Sequence, residues 1–118
     1  MDWKRKRYSR TLYLGAGEEH RLAISMSQME SEALQRAAQR LGLGSMNALF
    51  RAALAWHKER NYPDLDLGQG PDRWVRYLAH LERAGMVPRG TRSRWLIQLA
   101  KDYARHARAK AGKEVAGV

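Results

Sequence analysis

Basic side chains recur at helical spacing in the last third of the chain. Two stripes have this spacing: Arg73, Arg76, His80 and Arg83, followed by Arg94, Gln98, Lys101, Arg105 and Arg108. Side chains three or four residues apart lie on one face of a helix, and few acids interleave with these. We therefore predict that the arginines and the lysine of both stripes contact nucleic-acid phosphates. The alternative is that both stripes are ordinary solvated helix faces.

Residues that could support catalysis or bind a metal ion do not cluster in the sequence. The four histidines are far apart: His20, His57, His80 and His106. Cysteine is absent, which excludes cysteine nucleophiles and cysteine-bound zinc. Asp64, Asp66 and Asp72 lie in a Pro- and Gly-rich stretch without a nearby histidine, so we interpret this stretch as a solvated linker. We predict a protein that is not an enzyme and uses no metal or cofactor; a magnesium-dependent nuclease is the enzymatic alternative.

The net charge of +10 indicates a polyanionic partner, and its distribution indicates which parts of the chain would meet that partner. Residues 1–10 carry five bases against one acid, and residues 73–118 carry eleven bases against three acids. Residues 11–60 are nearly neutral, with six bases against five acids, and residues 61–72 carry three acids and no base. Counterion release from phosphates would therefore depend on the two ends of the chain.

The first ten residues, MDWKRKRYSR, are interpreted as a basic arm. Its predicted phosphate contacts are its five bases: Lys4, Arg5, Lys6, Arg7 and Arg10. Trp3 and Tyr8 are available to stack on bases or to wedge between them. A solvated tail is the alternative.

A strand followed by two capped helices is predicted over residues 20–60. In the stretch HRLAISMS, large apolar residues alternate with small or polar ones, which is the period of a strand buried on one face. Ser27 and Glu30 have the spacing of a capping box, so we expect a helix to begin there. Gly42 is placed to end that helix and Ser45 to cap a second one. The predicted core residues of this unit are Leu22, Ile24, Met26, Leu34, Leu49 and Phe50.

This order of strand, capped helix, glycine turn and capped helix resembles the ribbon-helix-helix family of DNA-binding proteins, of the Arc, MetJ and CopG kind. The resemblance covers residues 20–60 and rests on RLxIxM, S-x-x-E and LG-x-x-S-M-x-x-L-F-R. It implies an intertwined homodimer, in which one strand from each subunit pairs in the major groove and the six core residues form the dimer core. The outward strand residues would read base edges: Arg21, Ala23 and Ser25. N–H groups near Ser45, Met46 and Asn47 would hold a phosphate.

A lone strand needs a pairing partner, and two alternatives to a strand from a second subunit are open. One is a hairpin between residues 10–14 and 20–26, which would place a second strand beside the single strand of the family. The other is an internal duplication, because residues 34–54 and 76–100 both predict a helix, a glycine turn, a serine-containing cap and a helix. We favour the homodimer over the duplication because the stretch DLDLGQGPD, before the third helix, is a poor recognition strand; the hairpin stays open as an alternative.

The predicted fold class is mainly α: a ribbon-helix-helix unit of one strand and two helices, plus a C-terminal two-helix extension. The expected divisions are a basic arm with a possible short strand (1–19), the ribbon-helix-helix unit (20–60), a Pro/Gly/Asp linker (61–71), a basic helical hairpin (72–110) and a tail (111–118).

The predicted function is sequence-preferring binding of double-stranded DNA, most simply as a transcriptional repressor. One alternative is an accessory protein of plasmid or mobile-element processing, of the relaxosome or partition type. Another is a protein-interaction module or inhibitor that uses the C-terminal helices. We expect no membrane partner and a cytoplasmic, nucleoid-associated location, since no signal peptide or membrane span is evident. The homodimer could assemble into higher oligomers on DNA.

Overall fold

A computed structural model describes residues 3–15, 21–70 and 72–116, and for residues 4 and 112–116 only the backbone. A short 3-10 turn, Trp3–Arg5, precedes two strands and four helices. The strands are β1 (Arg7–Tyr13) and β2 (Arg21–Ser27), and the helices are α1 (Gln28–Arg40), α2 (Met46–Asn61), α3 (Arg73–Arg83) and α4 (Arg92–Ala116). The prediction of a mainly helical chain with strand structure ahead of the helices is confirmed. His20 and residues 16–19 of the predicted arm lie outside the described residues.

The two strands form an antiparallel hairpin within one chain, with Arg7 opposite Ser27 and Tyr13 opposite Arg21. The prediction of a single strand that takes its partner from a second subunit is therefore corrected. The hairpin alternative is the one observed, and its first strand begins earlier than residue 10. The reason is the alternation in β1: Leu12 is buried and Arg10 half-buried, while Ser9 and Thr11 are exposed. The strand therefore has an inner side that pairs with the buried side of β2.

The helix starts follow the local sequence signals. Ser27 Oγ accepts from the Glu30 N–H at 3.1 Å and the Ser27 N–H donates to Glu30 Oε1 at 3.0 Å, which completes the predicted capping box. Gly42 adopts a φ of 72° after the end of α1, where the Leu43 N–H donates to the Ala38 carbonyl. Ser45 Oγ accepts from the Ala48 N–H at 3.1 Å and caps α2.

One hydrophobic cluster contains residues from the hairpin and from all four helices. The six residues predicted as a dimer core lie inside this single chain: Ile24, Met26, Leu34, Leu49 and Phe50 are buried, and Leu22 is half-buried against the cluster. Leu12 and Leu14 of the hairpin belong to the same cluster. The expectation that a second chain must cover these residues is therefore wrong, because the chain's own first strand and its last helix cover them.

Helix α4 is part of this core and does not lie apart as an extension. It packs against α2, β2 and α1, whereas α3 packs against α2. Its buried face carries Leu96, Leu99 and Ala100. The helix also continues to Ala116, beyond the end at residue 110 that the sequence suggested.

The segment predicted as a linker is fastened to the fold over its described residues. Tyr62, Leu65 and Leu67 are half-buried against the core cluster. The Arg76 guanidinium donates to the Leu67 carbonyl oxygen at 2.7 and 3.1 Å and pairs with Asp72 at 2.5 Å. These contacts hold the segment against α3.

Because α4 shares its core with β2 and α2, damage to α4 should destabilise the whole chain. Replacing the fully buried Leu96 with Ala should lower the free energy of unfolding by about 2–5 kcal/mol. Hydrogen exchange should accelerate in β2 and α2 as well as in α4, measured by mass spectrometry. Lys110→Ala, an exposed change on the same helix, is the control and should have little effect. Acceleration confined to α3 and α4 would contradict a shared core.

Candidate nucleic-acid interface

The outer face of the hairpin presents hydrogen-bonding groups to solvent. On β2, Arg21 and Ala23 point outward and are exposed, as predicted. On β1, Ser9, Thr11 and Tyr13 share this face, because they stand opposite Ser25, Ala23 and Arg21 in the pairing register: each of the three is exposed. The exposed groups at these positions are the Arg21 guanidinium, the Ser9 and Thr11 hydroxyls and the Tyr13 phenol, and Arg7 follows the same alternation at the start of β1. A two-stranded ribbon with such a face has the shape that the major groove of B-DNA admits.

Sequence reasoning did not assign the β1 members to this face: Ser9 was placed in the basic arm, and Thr11 and Tyr13 in the alternative hairpin of residues 10–14 and 20–26. The signal that could have found them is the alternation in RYSRTLY, where Tyr8, Arg10 and Leu12 occupy the inner side. The basic residues of the segment concealed this alternation, because their charge suggested a basic arm.

Ser25 is hydrogen-bonded within the protein, whereas the family resemblance implied a residue free to read base edges. Its N–H donates to Ser93 Oγ at 2.9 Å, its Oγ accepts from Arg7 Nε at 3.1 Å, and its carbonyl oxygen accepts from the same guanidinium at 2.6 Å. Ser25 therefore joins β2 to the start of α4 and to Arg7.

The starts of two helices flank the hairpin at its opposite edges. At the β1 edge, Asn47 Oδ1 accepts from the Tyr13 N–H at 3.2 Å and Arg51 donates to the Tyr13 carbonyl oxygen at 2.9 Å. At the β2 edge, Ser93 accepts from Ser25 as described above. The first turn of a helix has N–H groups without intrahelical partners and carries the positive end of the helix dipole. Both edges of the hairpin therefore have a positive local field.

A cleft lies beside each helix start. The cleft at the start of α2 has a volume of about 270 Å³ and is lined in part by Arg10, Ser45 and Asn47. The cleft at the start of α4 has a volume of about 350 Å³ and is lined in part by Arg94 and Lys101. Of the predicted phosphate anchor, Ser45 is exposed and Asn47 half-buried, whereas the Met46 side chain is buried.

Several basic residues predicted to contact phosphate instead make ion pairs, hydrogen bonds or ring contacts within the protein. Arg7 pairs with Glu30 at 2.9 Å and Arg10 donates to Ser31 Oγ at 2.9 Å. Arg76 holds the segment before α3, and Arg73 lies over the Trp74 ring at 5.3 Å. These contacts were not foreseen, since each partner is brought near by the tertiary fold or by a local turn.

The other predicted phosphate contacts keep exposed side chains. They are Arg5, Lys6, Arg83, Arg94, Lys101, Arg105 and Arg108. Lys101 lies 4.0 Å from Glu30, and Arg105 lies 3.5 Å from Asp102. The Lys4 side chain lies outside the described residues. The structure thus brings Arg94 and Lys101 beside the hairpin and leaves Arg105 and Arg108 further along α4.

Glu30 links the hairpin to both α1 and α4. Burial raises the pKa of Glu30, but the Ser27 N–H hydrogen bond and the charges of Arg7 and Lys101 outweigh it and hold the pKa below its usual value. A carboxylate with a lowered pKa stabilises the fold above the usual pKa and loses that contribution as the pH falls through the folded value.

Histidine and aromatic side chains fill the space between α2, α3 and α4. Tyr77 Oη lies 2.7 Å from His57 Nδ1, and the His80 ring stacks near Tyr77 with ring centroids 6.4 Å apart. Burial and the charge of Arg60 lower the pKa of His57. His106 instead stacks on Trp56. Within the described residues, no group of three or more His, Asp or Glu side chains is arranged to hold a metal ion.

Comparison with protein-family models, with curated proteins and with solved structures finds no match for this chain. None of the helices in the described ranges is both long and apolar enough to cross a membrane. Function is therefore inferred from the geometry of the chain itself.

The lowered pKa of Glu30 predicts how the free energy of unfolding depends on pH. Glu30→Gln keeps a side chain that can complete the capping box but removes the charge. Because Arg7 is exposed and Glu30 half-buried, the loss of this partly screened ion pair should cost about 0.2–1 kcal/mol at neutral pH. The free energy of unfolding should also fall less than in the wild type as the pH drops below about 4.3. Chemical denaturation at several pH values measures both effects.

Glu59→Gln is the control for this prediction, because Glu59 is an exposed acid on α2. It should leave the acid dependence unchanged. An identical acid dependence in Glu30→Gln and in the wild type would show that the Glu30 carboxylate does not support the junction.

Proposed function

We propose that this chain is a sequence-preferring protein that binds double-stranded DNA by laying the β1–β2 hairpin in the major groove. The observation that carries the proposal is the exposed polar face of the hairpin with a helix start at each edge. Arg21 can donate two hydrogen bonds to guanine, Ser9 and Thr11 can pair with several bases, and Ala23 can contact the thymine methyl group. The helix starts then lie where phosphates on the two sides of the groove would pass.

Charge supports the same orientation on DNA. Arg94 and Lys101 line the cleft beside the start of α4, and the chain as a whole carries a net charge of +10. Contacts between such basic side chains and phosphates position a protein on the duplex without reading its sequence. Base preference would then come from the outer face of the hairpin.

The resemblance to the ribbon-helix-helix family supports this proposal in a changed form. In that family a second subunit supplies the partner strand, whereas here β1 takes its place. Helix α4 places its start at the second edge of the hairpin, in the way that α2 does at the first. One chain therefore presents a complete two-stranded ribbon, and homodimers or higher oligomers on DNA would be chains side by side on repeated sites.

The cellular role that we propose is transcriptional repression by a cytoplasmic, nucleoid-associated protein. Accessory roles in plasmid or mobile-element processing need the same DNA surface. Selection of bound duplexes from fragments of the source genome would distinguish these roles, since promoters and transfer or partition sites would be recovered in one case or the other.

Arg21 should contribute both affinity and base preference. Arg21→Ala should weaken binding to the preferred duplex by about 1–3 kcal/mol and reduce discrimination at one base position. Fluorescence anisotropy with the selected duplex and with its single-base variants measures both effects. Arg60→Ala is the control: it removes the same charge from the far end of α2, about 21 Å along the helix from Met46, and should change neither.

Arg94→Ala supplies the contrast within the same assay. It should weaken all duplexes alike and lower the slope of log affinity against log salt by about 0.9, as expected for one lost phosphate contact. Wild-type affinity and discrimination in Arg21→Ala would contradict the placement of the hairpin in the groove.

A further inference from the structure

A groove with an apolar floor runs between α1 and α4. Its volume is about 300 Å³, and its floor is formed by Ala33, Leu34 and Ala37 from α1 and by Ala104 from α4. Small side chains on the floor allow another chain to approach the two helix backbones closely. The outer face of the hairpin contributes no residue to this groove.

The sides of the groove are basic. Arg40 stands on the α1 side, and Lys101, Arg105 and Arg108 stand on the α4 side. Nearby acids compensate only part of this charge, since Arg105 pairs with Asp102 at 3.5 Å and Lys101 lies 4.0 Å from Glu30. Among the described residues, Arg40 and Arg108 have no carboxylate within salt-bridge distance. The groove is therefore apolar at its base and positively charged at both sides.

The apolar surface continues along α1 beyond the groove. Met29 precedes Ala33 by one turn on the same face of the helix, and its side chain is 48% exposed. An exposed methionine is flexible and polarisable, and such side chains adapt to apolar partners. Met29, Ala33 and Ala37 together form an apolar strip that the rest of the described chain leaves uncovered at its Met29 end.

The dimensions of the groove suit a helix. Ala33 to Arg40 and Lys101 to Arg108 each span two helical turns, about 10 Å along the axis. A helix that docks in a groove of this length uses apolar anchors at positions i, i+3 or i+4, and i+7. Acidic residues on the flanks of such a helix would meet the basic sides.

We propose that this groove binds an acidic amphipathic helix of another protein. A second copy of this chain is a poorer occupant, because two chains that each carry a charge of +10 repel one another. Duplex DNA is also a poorer occupant, because phosphates gain nothing from an apolar floor. The helix therefore matches both halves of the surface, and Lys101 is the one groove residue in the described part of the chain that also lines the cleft beside the start of α4.

The test uses the full chain and a fluorescein-labelled helical peptide built from Leu, Ala and Glu. Its apolar residues occupy one face, and glutamates flank that face. This ordered peptide should bind, and a scrambled peptide of the same composition should bind at least tenfold more weakly. Equal binding by the two peptides, or no binding by the ordered one, would overturn the proposal.

Variants then locate the binding site. The double change Arg40→Glu with Arg108→Glu should weaken the ordered peptide at least tenfold, whereas Arg60→Glu with Arg89→Glu, which alters the net charge equally at exposed positions outside the groove, should not. Met29→Gln, which leaves the charge unchanged, should also weaken binding. Circular dichroism verifies that each variant is folded. Equal weakening by both double changes would show unspecific electrostatic attraction and would overturn the proposal.

DNA binding measured in parallel separates this inference from the proposed function. Arg21→Ala should bind the peptide as the wild type does. If Arg40→Glu with Arg108→Glu weakens duplex binding more than the matched double change and leaves the peptide unaffected, the groove is a nucleic-acid surface and the inference fails.

Discussion

The pairing of β1 with β2 inside one chain is the constraint on which the rest of the structure depends. It gives both strands a partner, and it aligns the buried sides of Leu12, Ile24 and Met26 over one core. An isolated hairpin is marginally stable in water, so this one needs helices beneath it. Helices α1, α2 and α4 supply that support, and their starts consequently lie close to the hairpin. The exposed face, with a helix start at each edge, follows from the same pairing.

Hydrogen bonds and ion pairs join the hairpin, near the start of the chain, to α4, near its end. Ser93, at the start of α4, accepts a hydrogen bond from the backbone of β2, while Glu30 lies within reach of Arg7 from β1 and Lys101 from α4. The basic residues that the sequence predicted as phosphate contacts are therefore of two kinds. Arg7 and Arg76 hold the fold together, whereas Arg94 and Arg108 remain exposed to partners.

Local signals in the sequence were sufficient for β2, for the capped starts of α1 and α2 and for most of the core, because a capping box and an apolar periodicity each act within a few residues. They were insufficient for β1, whose bases suggested an arm and whose partner is set by tertiary pairing. The same limit applies to the site. Arg21 and Ala23 were placed correctly on the outer face, but Ser9 and Thr11 were missed. Ser25 was expected to be free because Arg7, which donates to its Oγ, lies in the segment interpreted as an arm.

The most direct measurement is an isotope-filtered nuclear Overhauser experiment on the full chain. Thr11 stands opposite Ala23, and the amides of this pair face away from each other, so their α-protons should be close. A uniformly labelled sample should show this cross-peak. An equimolar mixture of labelled and unlabelled chains, unfolded and refolded together, should not show it between chains. An interchain cross-peak in the mixture would contradict the central claim and would restore the intertwined homodimer.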